Sequence, residues 1–125
     1  MTELSAPMSD DVWPEELRLR NGGKTLTVVF NNGEQHDLDA EYLRVESPSA
    51  EVQGHGPGQK VTVGGKSDVS VIKVEPVGNY AVRLTFDDMH STGIYSWDYL
   101  LKLGRERDVI WQSYLEQLEA EGKSR

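Results

Sequence analysis

The sequence predicts an α+β fold: a small, mainly antiparallel β-sheet domain with short helices and a C-terminal helix. Three observations carry that expectation. Apolar residues alternate with polar ones over short stretches in the middle of the chain, most clearly in "KTLTVVF" and "YAVRLTF". Asn-Gly turn signals separate these stretches, as in antiparallel hairpins. Strands dominate the middle and helices gather at the C-terminal end, which is the α+β pattern.

Residues 1–12 are polar, acidic and without periodicity, so a disordered arm is expected before Trp13-Pro14. "ELRLR" and "KTLTVVF" flank Asn21-Gly22-Gly23 and read as a hairpin, with Leu26, Val28 and Phe30 on one face. Asn31-Asn32-Gly33 turns into a short strand over 34–38, in which His36 is expected to be exposed. Asp39 is placed to cap one or two helical turns through Tyr42 and Leu43. "ESPSAEVQGHGPGQ", 46–59, is rich in Gly, Pro and Ser and reads as a long loop. Strands are expected at "KVTV" and from Val69 to Val77. Gly78-Asn79 then turns the chain into a strand with Tyr80, Val82, Leu84 and Phe86 on one face. Ser96 suits the N-cap of "WDYLLKL", and Gly104 the position just past its end. A last helix is expected from Asp108 to Glu121, with Trp111, Leu115 and Leu118 on one stripe and Ile110 and Tyr114 beside it.

At 125 residues the chain fits one domain with a modest core. A net charge of -8 disfavours binding to nucleic acid or to anionic membranes. No apolar run approaches the about 20 residues that span a bilayer, and "MTELSAPMSDD" lacks the features of a signal peptide, so a cytoplasmic protein is expected. Cysteine is absent, which excludes disulfides and thiolate chemistry.

The densest polar constellation is "DDMHSTGIYSWDYL", 87–100. His90 lies between Asp87-Asp88 and Ser91-Thr92. Histidine and carboxylates are ligands for zinc or iron, but the spacing fits a hydrogen-bonded corner equally. Tyr95, Trp97 and Tyr99 suit packing at a half-buried sheet edge. His55, in "GHGPG", sits where backbone amides approach a ligand closely, although the phosphate-loop pattern is absent and a turn is the plainer reading. Ser47 and Ser49 lack a nucleophile-elbow pattern.

"GNYAVRLTFDDMHSTGIYSWDYLLKLG" together with "LRVESPSAEVQGHGPGQ" resembles the family catalogued as domain of unknown function 971. The same domain is found at the N-terminus of gamma-butyrobetaine hydroxylase and trimethyllysine hydroxylase. The likeness covers about residues 13–104, leaving a C-terminal helix, 105–121, and a tail, 122–125. The resemblance implies a β-rich domain holding zinc through three cysteines and one histidine. Those cysteine positions fall on Ser47, Ser49 and Val52, and the histidine on His90, so the implied zinc site is degenerate. Met89 stands where relatives carry glycine, which puts a demanding turn there in doubt. The hydroxylases' iron and 2-oxoglutarate sites belong to a separate barrel domain, and the domain is also fused to ATPases of iron–sulfur carrier type.

Two function classes follow. The leading expectation is a non-catalytic binding or adaptor domain for a protein partner or small ligand, linked by resemblance to iron–sulfur or oxygenase systems. Its surface would be the 46–59 loop with the 87–97 corner, with Tyr95, Trp97, Trp111 and Tyr114 as interaction residues in a monomer or weak homodimer. The alternative is a metal-binding protein or small metal-dependent enzyme, with His90, His55 and Glu46 or Glu51 holding zinc or iron.

Overall fold

The computed structural model describes residues 2–3, 12–54, 58–91 and 93–125. Among these, seven strands form two antiparallel sheets joined by helices. The first sheet has the order β1 (Thr2–Glu3), β2 (Pro14–Arg20), β3 (Thr25–Phe30), β4 (Gln35–Asp39). The second is β5 (Val71–Val77), β6 (Ala81–Phe86), β7 (Ile94–Ser96). Between the sheets in sequence lie α1 (Ala40–Val45) and α2 (Ala50–Gln53); α3 (Trp97–Arg105) and α4 (Arg107–Ala120) end the chain. The fold is α+β, with both sheets antiparallel.

The period-2 reading holds where one strand face is buried. Leu26 and Val28 are interior and paired with both β2 and β4, Phe30 is interior and paired with β2, and Val82, Leu84 and Phe86 are fully buried on β6. These side chains meet Tyr42 and Leu43 of α1 and Leu100 and Leu103 of α3 in one apolar cluster. A smaller cluster under α4 joins Val45, Tyr114 and Leu118.

Several expectations are corrected. Thr2 and Glu3 pair with Leu17 and Glu16, so the N-terminal arm contributes an edge strand; Met1 and residues 4–11 lie outside the described residues. Residues 60–63 form no strand. Their hydrogen bonds go elsewhere: Val61 N–H donates to the Val52 carbonyl (2.6 Å), while Lys123 and Tyr114 side chains donate to the Thr62 and Val63 carbonyls. The 46–59 stretch is not wholly irregular, because α2 forms one turn that buries Val52. Tyr80 lies in the turn before β6, exposed, rather than on the buried face. Asp39 makes no capping bond and instead meets Arg107 at 3.3 Å.

Gly104 lies within α3 instead of past its end. A Cβ there would stand 2.5 Å from the His36 ring, so the glycine admits a close contact. His36 is accordingly half-buried, edge-on to Phe30 and 3.2 Å from Glu34 Oε1. Met89 does adopt the demanding turn, at φ 70°. No helix among the described residues is long and apolar enough to cross a membrane.

Candidate functional site

The β6–β7 connection is built by local polar bonds. Met89 N–H donates to the Phe86 carbonyl at 3.0 Å, and Asp88 Oδ1 accepts the His90 N–H at 3.1 Å. Asp87 exchanges backbone and side-chain bonds with Ser70, which fixes the turn to the start of β5. These contacts carry the His90 ring inward, where its side chain is only 3% exposed.

Three sequence-predicted residues meet that ring. Ser47 and Ser49 place their hydroxyl oxygens 3.0 and 3.3 Å from Nε2, and Glu51 Oε2 lies 3.1 Å from Nδ1. A carboxylate only accepts, so Nδ1 carries the proton and Nε2 accepts from a serine. Burial, then the Arg44 guanidinium, push His90 below its ordinary value of 6.5, against the pull of Glu51. Gly93 makes room for the corner, since a Cβ there would stand 2.5 Å from Ser47 Oγ.

Arg44, at the end of α1, lies beneath the corner. Its side chain is 5% exposed and its Nε donates to Asp88 Oδ2 at 2.8 Å, where Lys66 also binds at 2.7 Å. Burial raises Asp88, but the Lys66, Arg44 and His90 N–H bonds outweigh it and hold the carboxyl at about 2. Arg44 Nη1 is buried without a hydrogen-bond partner among the described residues.

Ser47, His90 and Glu51 follow the bonding order of a nucleophile–base–carboxylate triad. Their exposure runs the wrong way for catalysis. Ser47 is fully buried, whereas the Glu51 side chain is 65% exposed. Among the described residues the hydroxyl is closed off from solvent, and the arrangement holds two loops together.

Glu46, also expected near the corner, faces elsewhere. Its side chain is 4% exposed and pairs with Lys60 at 2.5 Å. Burial raises its carboxyl above the ordinary 4.5, and Lys60 pulls it back only in part. It lies in a groove of about 560 Å³ with Lys60, Val61, Tyr99, Lys102, Val109 and Ile110. Tyr99 O–H donates to the Glu46 carbonyl at 2.6 Å, which ties α3 to the groove floor.

The other predicted positions divide. Val52 is buried, and His55 lies outside the described residues. No group of three or more histidines, aspartates or glutamates among the described residues is arranged to hold a metal ion. The aromatic interaction surface is corrected by burial. Tyr95 and Trp97 are interior, their polar ends bound to the Leu43 and Asn79 carbonyls. Trp111 is half-buried, stacked on Tyr114 at 5.1 Å with Arg125 over it at 5.4 Å. Tyr114 is buried too, though it lines the groove. Sequence reasoning gave no role to Arg44, Lys60 or Lys102. For Arg44 a signal existed: a charge inside the apolar run Tyr42-Leu43-Arg44-Val45 must find a buried partner.

Comparison with known proteins places the chain. No curated protein matches it. Two proteins solved by NMR in solution share 47% and 45% identity, with TM-scores of 0.78 and 0.80. The first alignment covers 90% of this chain and 89% of that one, the second 97% and 90%. A crystal structure of a protein of unknown function from the DUF971 family, from Acidithiobacillus ferrooxidans, is 39% identical with a TM-score of 0.61. It covers 74% of this chain and 92% of its own. The family described as "Gamma-butyrobetaine hydroxylase-like, N-terminal" matches residues 17–101, most of both sheets with α1, α2 and part of α3, and the chain belongs to that family.

Proposed function

We propose that this chain is a non-catalytic binding domain whose working surface is the groove bordered by α1, the segment 58–62 and α4. The observation that carries this reading is the Glu46 carboxylate held desolvated at the groove floor, beside exposed apolar side chains. A buried charge and exposed Val61 and Val109 each work against stability, and together in one concavity they fit recognition better than packing. The His90 corner supports the reading from the other side, since its hydroxyls and carboxylates are already bound to one another. The family description, which likens the domain to the N-terminal part of a hydroxylase, fits an accessory role for a protein partner or a small ligand. A screen of small neutral and charged compounds against isotope-labelled protein tests it. Binders that shift Val61, Thr62, Ser113 and Gln117 support the groove; binders only at the corner, or none, overturn it.

A second reading, metal binding at the corner, is prompted by His90 and Glu51 lying side by side at 3.1 Å, where a metal ion would have to displace the Nδ1 proton that now joins them. Zinc and iron(II) titrations, followed through the His90 ring resonances, decide it. A saturating shift at one equivalent supports a metal site, and an unmoved ring excludes it.

A further inference from the structure

We propose that the groove takes a small monocarboxylate with an apolar body, the Lys102 ammonium pairing with the carboxylate and Val61, Val109 and Ile110 seating the body. This deepens the binding reading above and rests on it. Size comes first. About 560 Å³ is in the range of small-molecule sites and is too little for a folded partner's face.

Charge comes next. Among the described residues three charged side chains line the groove: Glu46, Lys60 and Lys102. Glu46 and Lys60 neutralise each other at 2.5 Å, and among the described residues Lys102 has no ion-pair partner. The described lining therefore carries a net charge of one positive, with Lys102 acting on Glu46 only at a distance, on a chain of net charge -8. Lys102 lies in the last turn of α3, where a cation suits the helix dipole, but that preference does not require a groove. A cationic ligand would have to displace Lys60 from Glu46 and face Lys102 unscreened. A phosphate dianion would exceed the single charge on offer. One carboxylate matches it, and Lys60, half-exposed with only one of its three N–H donors on Glu46, has donors to spare for the same anion.

The apolar requirement follows from the opposite wall. Val109 is 71% exposed on α4 and Val61 45% exposed facing the same groove, with Ile110 half-buried beside them. Ser113, also lining it, supplies a hydroxyl donor on the α4 side. A chain of a few carbons or one ring fills such a seat, and each buried methylene contributes to affinity.

The test uses the full labelled chain and three probes of one shape: 4-phenylbutyrate, 4-phenylbutyramide and 4-phenylbutylamine. The expected result is a saturable shift of Val61, Thr62, Ser113 and Gln117 by the carboxylate, with the amide and amine at least about fivefold weaker. Lys102→Gln should lower carboxylate affinity by about the same factor and leave the amide unchanged. Val109→Asp, at an exposed helical position, should abolish binding of the carboxylate. Equal binding of amide or amine in the groove overturns the carboxylate assignment while leaving the groove as the binding surface. Indifference to Lys102→Gln overturns it likewise. If none of the three shifts the groove, this inference falls, and the broader reading then depends on the compound screen alone.

Discussion

The His90 corner and the Glu46 groove are fed by the same short segment, residues 44–53, and treat their polar groups in opposite ways. In the corner Arg44, Glu51, Lys66 and Asp88 sum to zero charge and bind one another or His90. In the groove one acid meets two lysines, and exposed apolar side chains stand alongside. A cluster of polar residues is therefore not in itself a binding site. What distinguishes the two is whether the partners are already taken within the chain.

The sharpest way to break this comparison is to remove one charge from each region. Arg44→Ala should cost about 3 kcal/mol in urea unfolding, because Asp88 loses its buried cation and the space stays empty. Glu46→Gln should change stability by less than about 1 kcal/mol, since Lys60 is half-exposed and regains water. Equal costs would erase the distinction between corner and groove.

Gly93→Ala should be the next largest, about 1–3 kcal/mol of overpacking, since its Cβ would displace the Ser47 hydroxyl. The His90 ring resonances should move with it; an unchanged ring would mean that Ser47 does not hold the histidine.

The pH dependence of the two regions should have opposite signs. His90 titrates below its ordinary 6.5 in the folded chain, so the unfolded chain takes up the proton first. Its contribution is full above pH 6.5 and is lost as pH falls through the native value. Asp88 acts in the same sense lower down: its contribution is present above 3.8 and is lost as pH falls through about 2. Glu46 is raised, so its contribution is full below 4.5 and is lost as pH rises through its native value. Urea midpoints measured from pH 8 to 3 on the parent, His90→Gln and Glu46→Gln check both slopes. His90→Gln should flatten the fall between neutral and mildly acidic pH, and a retained slope would rule out His90 as its source.

The smallest effect should be a gain. Met89 is 78% exposed and held at φ 70°, so Met89→Gly relieves backbone strain and loses no packing. After the entropy that glycine restores to the unfolded chain, a stabilisation of ~0.5–1 kcal/mol is expected in the same unfolding assay. A loss would mean that the Met89 side chain supports the turn.

Much of the fold was legible because burial on one face leaves a period in the sequence. The faces of β3 and, apart from Tyr80, β6 were read correctly, and so was Ser96, whose hydroxyl accepts the Tyr99 N–H at 3.1 Å. "KVTV" misled because alternation reports side-chain environment and is silent about backbone partners. In 60–63 the partners are the Val52 carbonyl and side chains from α4 and the tail. Gly104 misled for a related reason: a helix cap and a close contact both call for a missing Cβ. At the corner, the resemblance linked His90 with Ser47 and Ser49 across some forty positions, and the three do meet. Glu46 was grouped with them by nearness in sequence, yet it turns into the groove.

By itself, then, the sequence determined the α+β class, the two best strands, the absence of thiolate chemistry and the likeness centred on His90. Each of these depends on composition, local period or a contiguous motif. Only the tertiary structure decided that Ser47 is sealed from solvent, that Glu46 and Glu51 part company, and that Lys60 and Lys102 share a concavity. Those are questions of side-chain direction and of water exclusion, set by segments tens of residues apart, and no local pattern records them.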